Sequence, residues 1–404
     1  MKLSRRILSL PGKVYYVLLG VLLINLGSFL VIPFFTIYFT KTIHLPLTII
    51  GLAFSIQIIA QRSFALISGY VIDKYNPKIC LMTGLLLGSS AYLGLAFVNG
   101  AWSLCFYSAL LGLGNAFFNP ASKAAIVKQI SSENRAFAFA LRNTAMNIGV
   151  SCGPLIGSVL LHFAPRIVFL TALVIYLFCF FMFSFLKNTS GCFQASQVKF
   201  IETFALLKTP IIGILVGFMA LFMSGYVQID LTMPLLAHDL NSKWGIISIF
   251  AVNSLTVTLL AVPLTNIILK PGKSKLIVSI NLLFLFFSLI IYGFSKNLAM
   301  AMFAMLLFSI TEILFFPALD SLLSENCPTG FIGRTFGLLE LGGALGGVLG
   351  NMLGGFFYHR LLEKNLQPYY WLTISIFLSM ISILFIYFLF LNKKINFQPG
   401  KEII

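Results

Sequence analysis

The chain has 404 residues, of which 59% are hydrophobic and 9% are charged, and its mean hydropathy is +0.98. This composition is far too apolar for a soluble protein of this length, so a large soluble domain is excluded. The formal net charge is +16, but the basic residues are spread over many short segments, which excludes a nucleic-acid-binding patch. The lipid bilayer is the expected surroundings.

Apolar runs that are long enough to cross a bilayer recur along the whole chain. They predict an all-α membrane protein with about twelve transmembrane helices. The first run follows a basic start, but it is too long for a signal peptide and lacks a small-residue cleavage site, so we expect a retained helix. The predicted spans are residues 14–40, 47–72, 79–99, 102–126, 137–162, 166–187, 210–236, 244–269, 276–295, 298–323, 335–358 and 369–391.

An even number of spans places both termini on the same side of the membrane. Most of the 27 basic residues fall in segments that lie inside if the N-terminus is cytoplasmic. The positive-inside rule therefore predicts a multi-pass protein of the bacterial inner membrane with both termini in the cytoplasm.

The longest connection divides the predicted spans into six and six. We expect an N-terminal six-helix bundle over residues 1–187, a central cytoplasmic loop over 188–209, a C-terminal six-helix bundle over 210–391, and a cytoplasmic tail over 392–404. A monomer is the simplest assembly, because each six-plus-six unit can enclose its own path.

The two predicted bundles share a pattern of glycines at four-residue steps, which lets helices approach closely. Because these glycines occupy corresponding spans of the two halves, they indicate pseudo-symmetric bundles. Pro154 in the fifth span removes one backbone donor and permits a bend there. The glycines are Gly149, Gly153 and Gly157 in the fifth span, and Gly346, Gly350 and Gly354 in the eleventh.

The segment GYVIDKYNPK joins the second and third predicted spans and is unusually rich in charge. It contains Gly69, Asp73, Lys74 and Lys78. A short cation-rich connection between two membrane helices is typical of a cytoplasmic loop.

Charged residues inside spans are costly unless they are paired or hydrated, so each one is a candidate functional residue. Arg62 lies about 16 Å along its helix from Asp73, near the middle of the membrane. It is a candidate for substrate binding or coupling, and the alternative is a structural pair. Glu312 lies in the middle of the tenth span, and Asp230 lies in the outer part of the seventh with Gln228 beside it.

Burial in a low dielectric disfavours the charged form of a carboxyl group. Such a group can take up a proton on one side of the membrane and release it when its pocket opens to the other, as in proton relays of transporters. We therefore expect Glu312 or Asp230 to couple protons or to bind substrate.

Polar residues near the inner ends of the fifth and eleventh spans suggest a gate. When the glycine patterns are superposed, Asn143 falls opposite Glu340. A pair between the Arg142 end and the Glu340 end would join the halves. The alternative is that Arg142 extends to the inner membrane surface. Asn119 and Asn253 are candidates for lining the cavity, or for ordinary hydrogen bonding between helices.

The sequence gives no sign of an enzyme, a metal site or a cofactor. The six cysteines form no CxxC pair. No HExxH, GxSxG or Walker A motif occurs, so an intramembrane enzyme and direct use of ATP are both disfavoured.

Six plus six spans, a central loop and the segment GYVIDKYNPK together resemble the Major Facilitator Superfamily. Gly69, Asp73, Lys74 and Lys78 fit its loop pattern, and Gly153 and Pro154 match the core of a fifth-span motif of exporters. The resemblance implies that Asp73 contacts the start of the eleventh span and stabilises the outward-open state.

More closely, four segments resemble the MdtH-type multidrug exporters of the drug:proton antiporter group. They are NLGSFLVIP, GLGNAFFNPASKAAIVKQI, VQIDLTMP and FPALDSL. The chain departs from that group at Asn119, where an acidic residue is common, and in lacking a fourth-span arginine.

The resemblance implies a secondary active transporter that exports amphipathic small molecules by alternating access, driven by protons. The alternative is a dedicated exporter of one polar metabolite such as a siderophore, for which Arg62 would suit an anionic cargo. A membrane enzyme or a non-transporting receptor is the least supported reading.

Overall fold

The helices of this protein form because its long apolar runs have no water to satisfy backbone polar groups, so each run must close its hydrogen bonds internally. The computed structural model describes residues 11–74, 77–127, 129, 135–161, 163–185, 207, 209–241, 244–268, 273–326, 332–364 and 366–391. Within these ranges the secondary structure is helical, with turns between the helices.

The chain separates into two compact units, Met1–Ser196 and Gln197–Ile404. The predicted loop over 188–209 and tail over 392–404 lie almost wholly outside the described residues. The helices of the first unit are α1 (Gly12–Ile37), α2 (Leu47–Lys74), α3 (Pro77–Ala96), α4 (Ala101–Val127), α5 (Arg135–Leu161) and α6 (Pro165–Ser184), and α1 continues into a π-helical turn, Tyr38–Thr42.

The second unit contains one broken helix and several long ones. Its helices are α7 (Pro210–Tyr226), α8 (Gln228–Leu231), α9 (Met233–Leu240), α10 (Gly245–Ile268), α11 (Ser274–Gly293), α12 (Leu298–Asn326), α13 (Ile332–Leu353), α14 (His359–Glu363) and α15 (Gln367–Leu391), with a π-helical segment, Gly354–Tyr358, between α13 and α14.

The predicted membrane architecture is confirmed. Among the described residues, 11 helices are long and apolar enough to cross a membrane, and Gly245–Ala261 in α10 is a shorter apolar stretch. The last helix of each unit exposes a regular apolar stripe, which suits contact with lipid. The stripe comprises Val174, Phe178, Phe181 and Phe185 on and just after α6, and Ile376, Met380, Ile383 and Tyr387 on α15.

The seventh span, expected as one helix over 210–236, is instead divided into α7, α8 and α9. Val227 (ψ −9°) and Thr232 (φ −109°) stay in the right-handed helical region but are distorted from ideal α-helical angles. Pro234 has no N–H group, so it cannot donate the helical hydrogen bond to the carbonyl of Asp230, four residues earlier. The short segment α8 therefore carries Asp230 between two interruptions of the helix.

The glycine patterns lie where helices meet backbone to backbone. A Cβ atom added at Gly149, Gly153 or Gly157 would lie less than 3.0 Å from the backbone of α1. The same holds for Gly346 and Gly350 against the backbone of α7. Close backbone contacts at glycine thus join α5 to α1 in the first unit and α13 to α7 in the second. Helix α5 runs without interruption through Pro154.

Candidate functional site

The carboxylate of Glu312 lies at the centre of a hydrogen-bond network in the second unit. The hydroxyl of Tyr226 donates to Oε1 at 3.0 Å, and Nδ2 of Asn253 donates to Oε2 at 3.1 Å. The same amide nitrogen lies 3.0 Å from Oγ of Ser309, which donates to the carbonyl oxygen of Met305. Both carboxylate oxygens therefore have a donor, and the three helices α7, α10 and α12 are joined at this point.

Asp230 belongs to the same site. It lies within electrostatic range of the Glu312 carboxyl group and of the Tyr226 hydroxyl. Asp230, Tyr226 and Glu312 are each half-buried, so part of each side chain remains accessible. The two acids that the sequence singled out independently therefore lie near each other in the second unit.

Aromatic rings surround this polar network. The rings of Phe222 and Phe315 are stacked with centroids 3.8 Å apart. The ring of Tyr226 lies 5.6 Å from Phe308 and 6.2 Å from Phe316. Such packing fixes the orientation of Tyr226, so its hydroxyl is held in place for Glu312. It also keeps much of the site's lining apolar.

Gln228 is fully buried and uses its side chain to hold the broken helix. Its Nε2 donates to the carbonyl oxygens of Ser224 at 3.2 Å and Gly350 at 3.0 Å. Its Oε1 accepts from the hydroxyls of Thr232 at 2.8 Å and Tyr370 at 2.9 Å. Gln228 thus ties α8 to α13 and α15. This geometry favours a positioning role for Gln228 over the substrate contact that the sequence suggested.

The first unit contains a group of cations at helix positions within its spans. Nε and Nη2 of Arg142 donate to Oγ of Ser122 at 3.3 and 3.1 Å. Lys123, the next residue, lies within electrostatic range of both Arg142 and Arg62. Arg142 is 5% exposed, so its guanidinium lies inside the unit, against Ser122 of α4. Asn119 lies one helical turn before Lys123, and its carbonyl oxygen accepts from Ser122 at 2.8 Å.

The predicted loop motif and gate are only partly within the described residues. Gly69, Asp73 and Lys74 lie in the last turns of α2, and their side chains are outside the described residues. Nζ of Lys78 donates to the carbonyl oxygen of Ser184 at 2.7 Å, where a cation is favourable at the C-terminal end of α6.

Asn143 and Glu340 are both exposed. The gate between the Arg142 end and the Glu340 end remains a prediction. The described residues contain no group of three or more His, Cys, Asp or Glu side chains that could hold a metal ion.

Sequence reasoning missed several residues of these networks, among them Tyr226, Ser309 and Lys123. Tyr226 and Ser309 are neutral residues in apolar runs, where one aromatic or hydroxyl residue looks like another. Lys123 was interpreted only as a topology signal. The available signal was spacing, because Tyr226 lies four residues before Asp230 in the sequence, and Ser309 lies three residues before Glu312 on the same face of α12.

Comparisons with known proteins agree with this architecture. The multidrug resistance protein MdtH of Citrobacter koseri is 25% identical over 339 residues, which cover 83% of each chain. MdtH of Cronobacter sakazakii is 24% identical over 343 residues, or 82% of each chain. These matches confirm the resemblance seen in the sequence.

Solved structures share the fold. The nucleoside transporter NupG has a TM-score of 0.80 at 12% identity, covering 95% of this chain and 100% of that one. A POT family transporter in complex with 5-aminolevulinic acid has a TM-score of 0.80 at 13% identity, covering 95% and 97%. At these identities the likeness concerns the fold alone.

The family model described as Major Facilitator Superfamily matches residues 17–351 and 212–401. With its membrane-spanning helices and its similarity to MdtH, the chain is a membrane transporter and belongs to the Major Facilitator Superfamily.

Proposed function

We propose that this transporter exports small organic molecules in exchange for protons by alternating access. The observation that carries the proposal is the carboxylate of Glu312, held by Tyr226 and Asn253 beside Asp230 at a break in a membrane helix. Discontinuous helices are where transporters of several folds place their substrate and ion sites. Two partly accessible acids in an apolar unit are the groups that can carry the proton.

The network suggests how a proton at Glu312 changes the protein. As a carboxylate, Glu312 accepts hydrogen bonds from Tyr226 and Asn253. Once protonated, it must donate one, and the Asn253 amide NH₂ cannot accept. The Tyr226 hydroxyl can accept, so protonation reverses that contact. Tyr226 ends α7 and adjoins the break before α8, so the change acts on the helix segment that carries Asp230.

The relatives and the charge pattern support the proposed direction, location and cargo. The similar proteins are named multidrug resistance proteins, which supports outward transport of several compounds. The distribution of basic residues supports the bacterial inner membrane with both termini cytoplasmic. A monomer with no cofactor is sufficient for this activity.

The test is proton flux in everted vesicles that contain the protein. A preset pH gradient is monitored while fluorescent cationic, zwitterionic and anionic compounds are added in turn. We expect several unrelated compounds to dissipate the gradient. Glu312→Gln or Asp230→Asn should reduce this response at least about tenfold, because neither amide binds and releases a proton in this range.

Matched controls use exposed acids of the same unit. Glu363→Gln and Asp239→Asn change acids at the ends of α14 and α9, both exposed, and should leave the flux unchanged. If no compound moves protons through the wild type, or if both site variants behave as the controls do, the proton-coupled mechanism is wrong.

The second candidate is a dedicated exporter of one polar metabolite, such as a siderophore. The cations Arg62, Lys123 and Arg142 in the first unit favour it, because a broad exporter of lipophilic compounds has little need for them. A deletion strain that accumulates one compound inside the cell, with unchanged resistance to unrelated drugs, would favour this candidate.

A further inference from the structure

A pocket of about 330 Å³ lies in the second unit between α13 and α15. Two of its residues, Phe357 and Phe377, are 49% and 58% exposed, so the pocket opens at the surface of these helices. Phe377 precedes Met380 of the apolar α15 stripe by three residues, so the two share a helix face. The pocket therefore opens on the side that suits lipid. Its lining comprises Leu353, Phe357, Tyr370, Thr373, Ile374 and Phe377.

The lining of this pocket suits a hydrocarbon chain. Its two hydroxyl groups are engaged within the protein, because Tyr370 donates to Oε1 of Gln228 at 2.9 Å and Thr373 donates to the carbonyl oxygen of Tyr369 at 2.7 Å. The remaining lining residues are leucine, isoleucine and phenylalanine. A flexible chain gains free energy by burying methylene groups against such a surface, whereas a polar molecule would lose hydration there.

Arg360 lies at the end of the pocket where two membrane spans meet. One span ends at Glu363 and the next begins at Gln367, so the turn between them lies at the membrane surface. Phe357 precedes Arg360 by three residues, a rise of about 5 Å. The headgroup layer of each bilayer leaflet is about 5–8 Å thick. A lipid chain in the pocket would therefore place its headgroup at the level of Arg360.

The side chain of Arg360 is suited to bind a phosphate. Its Cζ lies 4.1 Å from the centroid of the Phe356 ring. A guanidinium that packs on a ring keeps its N–H groups for hydrogen bonds, and their fork matches the oxygens of a phosphate. Lys364 is exposed and follows four residues later, which adds a second positive charge. The neighbouring acid, Glu363, lies 3.5 Å from Nε2 of His359.

The walls of the pocket also hold two anchors of Gln228. One anchor is the hydroxyl of Tyr370, which lines the pocket. The other is the carbonyl oxygen of Gly350, which accepts from Nε2 of Gln228 at 3.0 Å and lies one turn of α13 before the lining residue Leu353. A chain that fills the pocket would restrain both anchors, and with them α8, the segment that carries Asp230.

We propose that this pocket binds one acyl chain of an anionic phospholipid, with the lipid phosphate at Arg360, and that the bound chain holds α8 in place. The positive charges of Arg360 and Lys364 favour a headgroup with a net negative charge over a zwitterionic one. The inference goes beyond the proposed transport function, because its ligand is a membrane lipid and not the cargo. It makes the broken helix of the second unit sensitive to lipid composition.

The test compares dioleoyl phosphatidylglycerol with dioleoyl phosphatidylcholine, each added to the purified full-length protein in a neutral detergent. Apparent affinity is read from the dependence of the melting temperature on lipid concentration, and each variant is compared with its own lipid-free value. We expect phosphatidylglycerol to bind about fivefold more tightly than phosphatidylcholine. Arg360→Gln should remove most of this preference.

Arg166→Gln is the matched control for the headgroup contact. Arg166 is an exposed arginine of the first unit, and its Cζ lies 5.9 Å from the centroid of the Phe97 ring. It thus shares the residue type and the aromatic contact of Arg360 but not the pocket, and its variant should keep the full preference. Equal binding of the two lipids by the wild type, or a full preference in Arg360→Gln, refutes the headgroup site.

A second pair of variants tests where the chain lies. Thr373→Trp fills the pocket and should weaken the binding of both lipids about tenfold, because a few methylene groups lose their burial. Phe377→Ala removes one wall and should weaken both lipids in the same direction, which keeps the test decisive if Thr373→Trp does not fold. Ile376→Trp adds the same side chain to the exposed stripe of α15 and should leave both affinities unchanged.

The acyl-chain site is refuted if Thr373→Trp and Phe377→Ala both bind phosphatidylglycerol as the wild type does, since the lipid then lies elsewhere on the surface. If Thr373→Trp keeps its lipid affinity but no longer binds the exported compounds, the pocket holds cargo and the proposal is wrong.

Hydrogen–deuterium exchange tests the link to α8. The amides of Gln228–Leu231 should exchange at least about threefold more slowly with phosphatidylglycerol than with phosphatidylcholine in the wild type, and at equal rates in Thr373→Trp. Lipid binding without slower exchange refutes this link. Glu312→Gln should bind phosphatidylglycerol as the wild type does. Lipid binding without proton flux would therefore refute the coupling mechanism alone, and proton flux without lipid binding would refute the lipid site alone.

Discussion

At the scale of single residues, the protein separates its polar side chains by the kind of partner they have. Glu312 accepts from one hydroxyl and one amide and can itself gain a proton, whereas the Gln228 amide does not titrate and has all four hydrogen-bonding positions filled, by two carbonyl oxygens and two hydroxyls. A side chain with a full set of fixed partners rigidifies its surroundings. A carboxylate whose partners include a hydroxyl that can both donate and accept is suited to change state.

This difference makes Tyr226→Phe an informative substitution. The ring keeps its packing on Phe308 and Phe316, while the one hydrogen bond to Glu312 is lost. We expect the rate of proton-coupled transport to fall about tenfold, and the melting temperature to change by only a few degrees, as one hydrogen bond is worth about 1 kcal/mol.

Counterflow in proteoliposomes and a thermal unfolding curve measure the two effects separately. Tyr387→Phe, which removes an exposed hydroxyl from α15, is the matched control. A Tyr226→Phe protein that transports at the wild-type rate would show that the hydroxyl has no part in coupling.

At the scale of elements, most helices were predictable and the breaks were not. Apolar run length alone located α2, α4 and α15 to within a few residues, because a bilayer imposes length directly. The interruption around α8 was not readable, since Pro234 is compatible with a kinked helix as well as a broken one. Whether the helix is kinked or broken depends on whether Gln228 finds hydrogen-bond partners on α13 and α15, which are remote in sequence.

The candidate site was half predictable for a similar reason. Glu312 and Asp230 stand out because charges in apolar runs are rare. Their shared neighbour Tyr226 is one of 14 tyrosines, and only tertiary packing distinguishes it. Lys123 was readable as a charge, yet its nearness to Arg62 and Arg142 depends on how α2, α4 and α5 pack.

The glycine contacts between helices give an element-scale prediction. Gly350→Ala would place a Cβ against the carbonyl oxygen of Ser224 on α7, while Gly337→Ala on the same helix α13 meets nothing within 4 Å. We expect Gly350→Ala to destabilise the protein by about 1–3 kcal/mol and Gly337→Ala to be neutral or mildly stabilising.

Size-exclusion profiles of fluorescent-protein fusions extracted in detergent would report the amount of folded protein for each variant. Because the substitution is the same and both positions lie on α13, the helix propensity effect cancels in the comparison. Equal profiles for the two variants would contradict the requirement for close backbone approach at Gly350.

At the scale of the whole molecule, the charge pattern predicts orientation. Reporter fusions provide the measurement. Green fluorescent protein after Ile404 should fluoresce, because it folds in the cytoplasm, and alkaline phosphatase after Lys296 should be active, because Lys296 is placed outside. The reverse result at both positions would invert the topology and the direction assigned to each helix.

The contacts of α5 with α1, and of α13 with α7, have a thermal consequence. A glycine has no side-chain torsions, so packing it against backbone costs no rotamer entropy. Heating likewise releases no side-chain rotamers at such a contact. Contacts made by leucine and phenylalanine side chains weaken on heating, because alternative rotamers of these side chains become populated. The two backbone-to-backbone pairs should therefore be the last parts of their units to exchange amide protons as the temperature rises.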